Sequence, residues 1–419
     1  MNFSIRRIYP KIYMIIIGLL ISEILLLFFL PIFPLPTDNL INKSGESVYA
    51  INKQYHHDYR SSQEFFRYPT NLDEFKPVYN KINSLGLRGE EISTKDSARV
   101  LLLGDSFIEA EEVDEQYTVG NLLNKKFRGE LEVIQKGVSS WSPLLELNWL
   151  LKIGFSLDPD HIVLFIVPND FFGLSYSRSD ASYAKVAKFN DQGDPVSFEV
   201  SSTQDRTIFE KQLNKLQLFK LLKNIYVHFK GLNKNYSFRS IPVFKQFSQQ
   251  ELDELLLIPP DTVREALDER LDVDNTVKDQ VKESICLSRS NELWDIETKS
   301  NVDLSMKFLL RIKEHCSDRN IKLSILYVPF GWNIDLKETS LARKHFHMEN
   351  AILPLGGIET EIKDFCSENK VEYLDFATYI QGLNSEKLLY YRSDPHWGPD
   401  GHRAVADFLF SKLTDNKNG

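Results

Sequence analysis

Cysteine is scarce in this chain: three in 419 residues, at positions 286, 316 and 366. No two share a CxxC or zinc-ribbon spacing, so neither a disulfide framework nor a structural metal organises the fold, and at most one bridge could form. A basic excess is missing too. Fifty Lys and Arg stand against 59 Asp and Glu, a formal charge of −9. Such a surface cannot displace phosphate counterions, so no nucleic acid is expected as a partner. The close histidine pairs lack matching acidic or cysteine partners at ligand spacing. His56-His57 and His345-Phe346-His347 are read as surface residues, and neither metal nor cofactor is expected. No internal repeat or low-complexity tract is evident. Present instead are enough apolar residues for a packed core, 42% of the chain, and one long apolar run near the N-terminus.

That run, Ile12–Phe33, is 22 residues long, sufficient to cross a hydrocarbon core of ~30 Å. Glu23 interrupts it, at a cost of about 3 kcal/mol near a helix centre. Sixteen Leu, Ile and Phe in the same stretch return roughly 0.3–0.6 kcal/mol each, so insertion wins. Arg6, Arg7 and Lys11 precede the run and no basic excess comes after it. The expectation is therefore an uncleaved single-pass anchor with a cytoplasmic N-terminus and everything after it extracytoplasmic. No small-x-small cleavage site ends the run, as a removable signal peptide would require.

Beyond the anchor, residues 34–98 are polar and mixed and read as a stalk or wrapping segment. An alternation then begins. Short apolar strands are expected at Arg99–Leu103, Leu131–Gln135 and His161–Val167, with helices at Thr118–Phe127 and Leu144–Ile153. It resumes with helices at Leu304–Cys316, Ile358–Cys366 and Gly401–Leu413 and strands at Lys322–Val328 and Val371–Asp375. Strands alternating with helices predict a mostly parallel sheet covered on both faces, an α/β/α sandwich over 99–170 and 301–415. Sites in such sheets lie beyond the carboxyl ends of the strands. Ser106, Gly137 and Asn169 each come just after such an end.

Between them lies an insertion, 171–300, expected to be mostly helical. Its stretch Lys211–Lys245 holds eight Lys or Arg and no Asp or Glu, with apolar residues near helical spacing. That pattern suits a helix packed on the core with a solvated basic edge, or one lying on an anionic membrane surface or binding an acidic polymer. Gln250–Gln280 is acidic and interrupted by Pro259-Pro260.

Two segments carry candidate chemistry. Val100-Leu-Leu-Leu-Gly-Asp-Ser-Phe107 places a serine at the end of an apolar strand. Ser393-Asp-Pro-His-Trp-Gly-Pro-Asp-Gly-His402 places an acid and an imidazole close together. A serine hydroxyl is a poor nucleophile until a base takes its proton, and the base needs an orienting partner. Ser106 as nucleophile, His396 as general base and Asp394 as its orienting acid fill the three roles. Asp394 precedes a proline, which favours an extended, stiff approach to the histidine. His402 is the rival base but falls on the expected last helix, where packing or capping suits it better. Asp105 is expected to hold the turn through backbone bonds.

Gly104-Asp-Ser-Phe107 resembles the first block of the SGNH/GDSL esterase superfamily. Gly137, in Lys136-Gly-Val-Ser-Ser-Trp141, resembles that superfamily's second-block glycine, and Asn169, in Val167-Pro-Asn-Asp170, its third-block asparagine. Asp394 and His396 resemble the last block, but two residues apart where the superfamily usually has three. Asp394-Pro-His-Trp397 is closer to the Asp-x-His-Trp signature of alginate O-acetyltransferase-like proteins. The resemblance implies a flavodoxin-like, three-layer SGNH fold and an oxyanion hole formed by the backbone N–H groups at Ser106 and Gly137 and the Asn169 side-chain amide. It also implies acyl-ester chemistry, either hydrolysis or O-acyl transfer. The substrate is expected to be a small acyl ester or an O-acylated glycan of the envelope or an exopolysaccharide. A transferase would need a membrane partner to deliver acyl groups. A silent glycan-binding or scaffold protein is the alternative from another class. Trp141 and Trp397 are candidates for stacking on a sugar ring. Asn83–Glu90 resembles a segment found ahead of the catalytic domain in anchored relatives and is expected to be a loop docked on the domain edge.

Overall fold

The computed structural model describes residues 5–29, 47–67, 77–171, 186–200, 290–345, 352–383 and 386–415, apart from 295 and 393, with a few residues more at 212–222 and 287–288. Most of the basic stretch 211–245, the acidic stretch 250–280, Cys286 and His347 lie outside the described residues.

The described part of the N-terminal apolar run, up to Phe29, is helical, α1 (Ile5–Phe29). Among the described residues no helix is long and apolar enough to cross a membrane, so the expected span over 12–33 gains no support from the fold. The segment expected as a stalk is more structured than its mixed polarity suggests. It forms two antiparallel hairpins, β1 (Tyr49–Asn52) with β2 (His56–Tyr59) and β3 (Gln63–Arg67) with β4 (Val78–Ile82).

The core alternation comes next: β5 (Ala98–Gly104), the single turn α2 (Ser106–Glu109), α3 (Val119–Phe127), β6 (Leu131–Gly137), α4 (Pro143–Lys152) and β7 (His161–Ile166). A small hairpin, β8 (Ala187–Phe189) with β9 (Pro195–Phe198), opens the insertion, so that part is β rather than helical. The core resumes with α5 (Ile296–Asp318), eight residues earlier than the apolar periodicity suggested, then β10 (Lys322–Tyr327) and α6 (Ser340–His345). It ends with α7 (Gly356–Asn369), β11 (Glu372–Leu374), α8 (Phe376–Gln381) and α9 (Pro399–Asp415).

The five core strands form one parallel sheet in the order β11-β10-β7-β5-β6. Read from β6, this is the flavodoxin-like 2-1-3-4-5 order. The crossover from β5 to β6 runs toward one edge, and every later crossover runs the other way. Right-handed connections therefore put α3 on one face and α4 on the other. α9 returns to pack on α3, and α5 packs on α4, completing three layers. Leu101, Leu103, Ile162, Leu164 and Ile325 are buried between them, as continuous apolar strands covered on both faces must be.

The chain reverses its winding between β5 and β7. There the helices leave toward opposite faces and open a crevice at the carboxyl ends, the topological switch point.

Candidate active site

Ser106 comes directly after β5 and opens α2. Asp105 caps that turn: its Oδ1 accepts from the Phe107 N–H at 3.0 Å. Its other oxygen lies 3.2 Å from both Ser106 Oγ and Asn169 Nδ2. Burial pushes the Asp105 carboxyl up, against the pull of the Phe107 N–H, His396, Asn169 and Ser106. The aspartate thus has the structural role expected of it. It fixes the serine turn and the asparagine together.

Asn169 sits in a short 3-10 turn directly after β7. Its amide nitrogen carries two hydrogens. The bond to Asp105 uses one and fixes the amide plane. Gly137 ends β6 in register with Gly104. A Cβ there would lie 2.0 Å from the Glu109 nitrogen and 2.5 Å from the Asp105 carbonyl oxygen. Only glycine lets β6 come this close to the backbone of the nucleophile turn.

The last block arrives from the other end of the chain. His396 Nε2 is 2.8 Å from Ser106 Oγ, and Nδ1 is 2.5 Å from Asp394 Oδ1. The same Asp394 oxygen accepts the His396 backbone N–H at 2.9 Å. This explains how the short spacing works. The carboxylate folds back over Pro395 in an Asx-type turn and reaches backbone and ring together. Phe107 packs against the imidazole, with ring centroids 4.9 Å apart. Burial disfavours the charged imidazole, but Asp394, with help from Glu112 and Asp105, outweighs it and holds the pKa of His396 above its usual value. Asp394 is pushed up by burial and drawn down further by His396, so its carboxylate stays ionised.

The side chains expected as nucleophile, base and orienting acid are joined in one hydrogen-bonded line.

No family model and no curated protein matches the chain. Solved structures similar to it include an acetyl xylan esterase, AlAXEase, at 14% identity and a TM-score of 0.36, covering 75% of this chain and 99% of that one. A psychrotrophic esterase, EstA, from Pseudoalteromonas sp. is 10% identical, with a TM-score of 0.33 over 77% and 99%. A lipase/acylhydrolase from Enterococcus faecalis is also 10% identical, with a TM-score of 0.33 over 76% and 96%. Likeness at that level leaves the activity to be argued from the site itself.

Other expected site residues are buried rather than open to a ligand. Trp141 and Trp397 are each 1% exposed, so neither ring is free to stack on a sugar. Trp141 donates its indole N–H to the His57 carbonyl at 3.0 Å and lies under the Lys136 ammonium. Trp397 is an aromatic hub touching Phe107, Phe165, Phe376 and His402. His402 is buried against it, and burial, then Arg88 and His396, push its pKa down to about 3. A base so hard to protonate is a packing residue, as its helix position suggested. His56 is not a surface residue: it is buried, its Nδ1 is 2.9 Å from His57 Nδ1, and His57 reaches the Ser139 carbonyl at 3.0 Å.

The wrapping segment supplies supports that no motif announced. Lys136, beside Gly137, is buried and paired with Asp58 of β2 at 2.5 Å, and it also donates to the Gly86 carbonyl. The Asn83–Glu90 loop docks as expected. Asn83 Oδ1 accepts from the Leu85 and Leu87 N–H groups. Arg88 donates to the carbonyls of Ala110 and Val113, just past the nucleophile turn. Arg67 of β3 pairs with Glu111 and Glu112 at 3.0 and 3.2 Å.

Proposed function

We propose that this chain is an SGNH-type serine esterase that cleaves acyl esters through a seryl-acyl intermediate. The carrying observation is the continuous hydrogen-bonded line from Ser106 Oγ through both nitrogens of His396 to Asp394. His396 takes the serine proton as Oγ adds to the ester carbonyl. The tetrahedral oxyanion is met by the N–H groups of Ser106 and Gly137 and by the second amide hydrogen of Asn169. One such donor is worth about 10²–10³ in rate. His396 then returns the proton to the departing alcohol, and water repeats the sequence to release the acid.

The finer reading is a membrane-anchored, extracytoplasmic enzyme acting on acetyl esters of envelope or exopolysaccharide glycans. Its supports are the Ile12–Phe33 run, the basic flank before it, and the many exposed apolar side chains of α1, among them Ile16, Ile17, Leu20 and Ile24. The Asp394-Pro-His-Trp397 signature favours a second outcome of the same mechanism. A sugar hydroxyl accepting the acyl group in place of water gives an O-acetyltransferase fed by a membrane partner. A silent binding or scaffold role would leave the ordered triad without a purpose.

The test is to incubate the full-length protein with p-nitrophenyl acetate, with and without an oligosaccharide acceptor, and analyse products by mass spectrometry. Free acetate supports the esterase and acetylated sugar the transferase. Ser106→Ala should abolish both, and a fluorophosphonate should label Ser106 in the parent alone. Turnover surviving in Ser106→Ala would defeat the proposal.

A further inference from the structure

Outside the triad, a second buried acid bears on the same loop. Glu338 lies in the segment joining β10 to α6 and is 1% exposed. Its two oxygens accept the backbone N–H of Leu389 at 3.1 Å, and one of them also accepts that of Tyr390 at 2.9 Å. These residues begin the short extended stretch Leu389–Tyr391. On its other side, that stretch holds the catalytic turn. Gly398 N–H donates to the Leu389 carbonyl at 2.9 Å, and Tyr391 N–H donates to the His396 carbonyl at 3.1 Å. Tyr390 and Trp397 form an isolated antiparallel bridge. The Asp394–His396 turn is therefore the tip of a narrow loop whose base is gripped by one carboxylate.

The grip is itself braced. Arg343 of α6 is buried and donates to the Glu338 carbonyl at 2.9 Å, the Asp335 carbonyl at 2.8 Å and the Gly331 carbonyl at 3.2 Å. Tyr390 donates its hydroxyl to the Pro329 carbonyl at 2.6 Å. Leu341 N–H donates to the Arg392 carbonyl at 2.9 Å, tying the far end of the stretch. A Cβ on Gly331 would lie 3.1 Å from the Tyr390 ring, so glycine there leaves room for the ring to pack on the bracket. Burial pushes the Glu338 carboxyl up, while the Tyr390 and Leu389 N–H groups draw it back. Burying a carboxylate is expensive, whereas charge-assisted bonds to backbone N–H groups are short and directional. That exchange makes sense where a loop must be held to a fraction of an ångström.

Building on the esterase reading, we propose that Glu338 is a positioning residue for the acyl-transfer base: it clamps Leu389 and Tyr390 so that His396 meets Ser106 at hydrogen-bond distance. It touches no reacting atom. Its effect passes through two backbone bonds that flank the turn, Tyr391 N–H to the His396 carbonyl and Gly398 N–H to the Leu389 carbonyl.

The test uses the full-length protein with Glu338→Gln and Glu338→Asp. The amide offers one acceptor oxygen where two were used, and aspartate keeps the carboxylate on a shorter stem. Turnover is expressed per site titrated to completion with a fluorophosphonate, which corrects for any misfolded fraction. Glu338→Gln should lower kcat by about ten- to a hundredfold with KM within about twofold, the effect of a small misplacement of a catalytic group. Glu338→Asp should recover part of the loss. The low-field proton signal of the His396–Asp394 hydrogen bond, read by NMR without substrate, should shift or broaden in Glu338→Gln. Unchanged kcat per titrated site together with an unchanged signal overturns the clamp. If the parent protein hydrolyses no ester yet Glu338→Gln alters the signal, the esterase reading falls and the clamp stands.

Discussion

Ser106 Oγ lies between two acceptors, the His396 ring at 2.8 Å and the Asp105 carboxylate at 3.2 Å. Only the ring can carry a proton to the leaving group and back, so the rate depends on the fraction of His396 that is neutral. Asp394 holds that pKa above the ordinary value of about 6.5. Activity should therefore be lost as pH falls through a limb lying above 6.5. Asp394→Asn removes the largest raising influence and leaves burial opposed only by Glu112 and Asp105. The limb should move to lower pH and the plateau should drop by about 10²–10⁴, since an amide neither stabilises the imidazolium nor fixes the productive tautomer. A pH profile of kcat/KM for the two proteins checks this. A limb that stays put in Asp394→Asn means that another acid orients the ring. The meeting of Ser106, His396 and Asp394 was legible in the sequence because each proposed role demands a particular functional group at a strand end or on a stiff turn. The tryptophans were not, because an indole suits a sugar platform and a core equally well and only depth separates the two.

At the scale of elements, the three strand ends do unequal work. β5 carries the nucleophile and β7 the asparagine, while β6 contributes closeness. Gly137→Ala would drive a methyl group into the backbone of Asp105, Ile108 and Glu109. Overpacking against side chains typically costs about 1–3 kcal/mol, and backbone yields less readily. The variant should melt several degrees lower and label poorly with a fluorophosphonate, as differential scanning fluorimetry and gel fluorescence would show. An unshifted melt with full labelling would mean that β6 can retreat from α2 without cost. Strands and helices of the sheet were readable from apolar runs and glycine boundaries. The hairpins β1–β2 and β3–β4 were not. His-His-Asp-Tyr and Gln-Glu-Phe-Phe-Arg have no clean alternation, and the buried partner of Asp58 is Lys136, 78 residues further along the chain. Within one sequence, a buried charge and a surface charge look alike. The hairpin β8–β9 escaped for a related reason, since strands of three and four residues are too short to show a period.

For the whole molecule, the proposed anchor makes a testable prediction of topology. The basic residues Arg6, Arg7 and Lys11 predict an extracytoplasmic C-terminus under the positive-inside rule. A periplasmic-type reporter fused after Gly419 should be active, and a cytoplasmic-type reporter silent. The reverse pattern would overturn the proposed location while leaving the chemistry of Ser106 untouched.

The docking of residues 47–67 and 77–90 onto the nucleophile turn sets a geometric limit on such an enzyme. If α1 is the proposed anchor, the chain rejoins the catalytic body at Ser47, with residues 30–46 between Phe29 and that point. Seventeen residues stretch to no more than about 60 Å. Swung from a membrane, Ser106 could sweep only a thin layer above the lipid. Esters on chains emerging at or lying against that surface would be within its reach, and a polymer in bulk solution would have to diffuse into that layer to be cleaved.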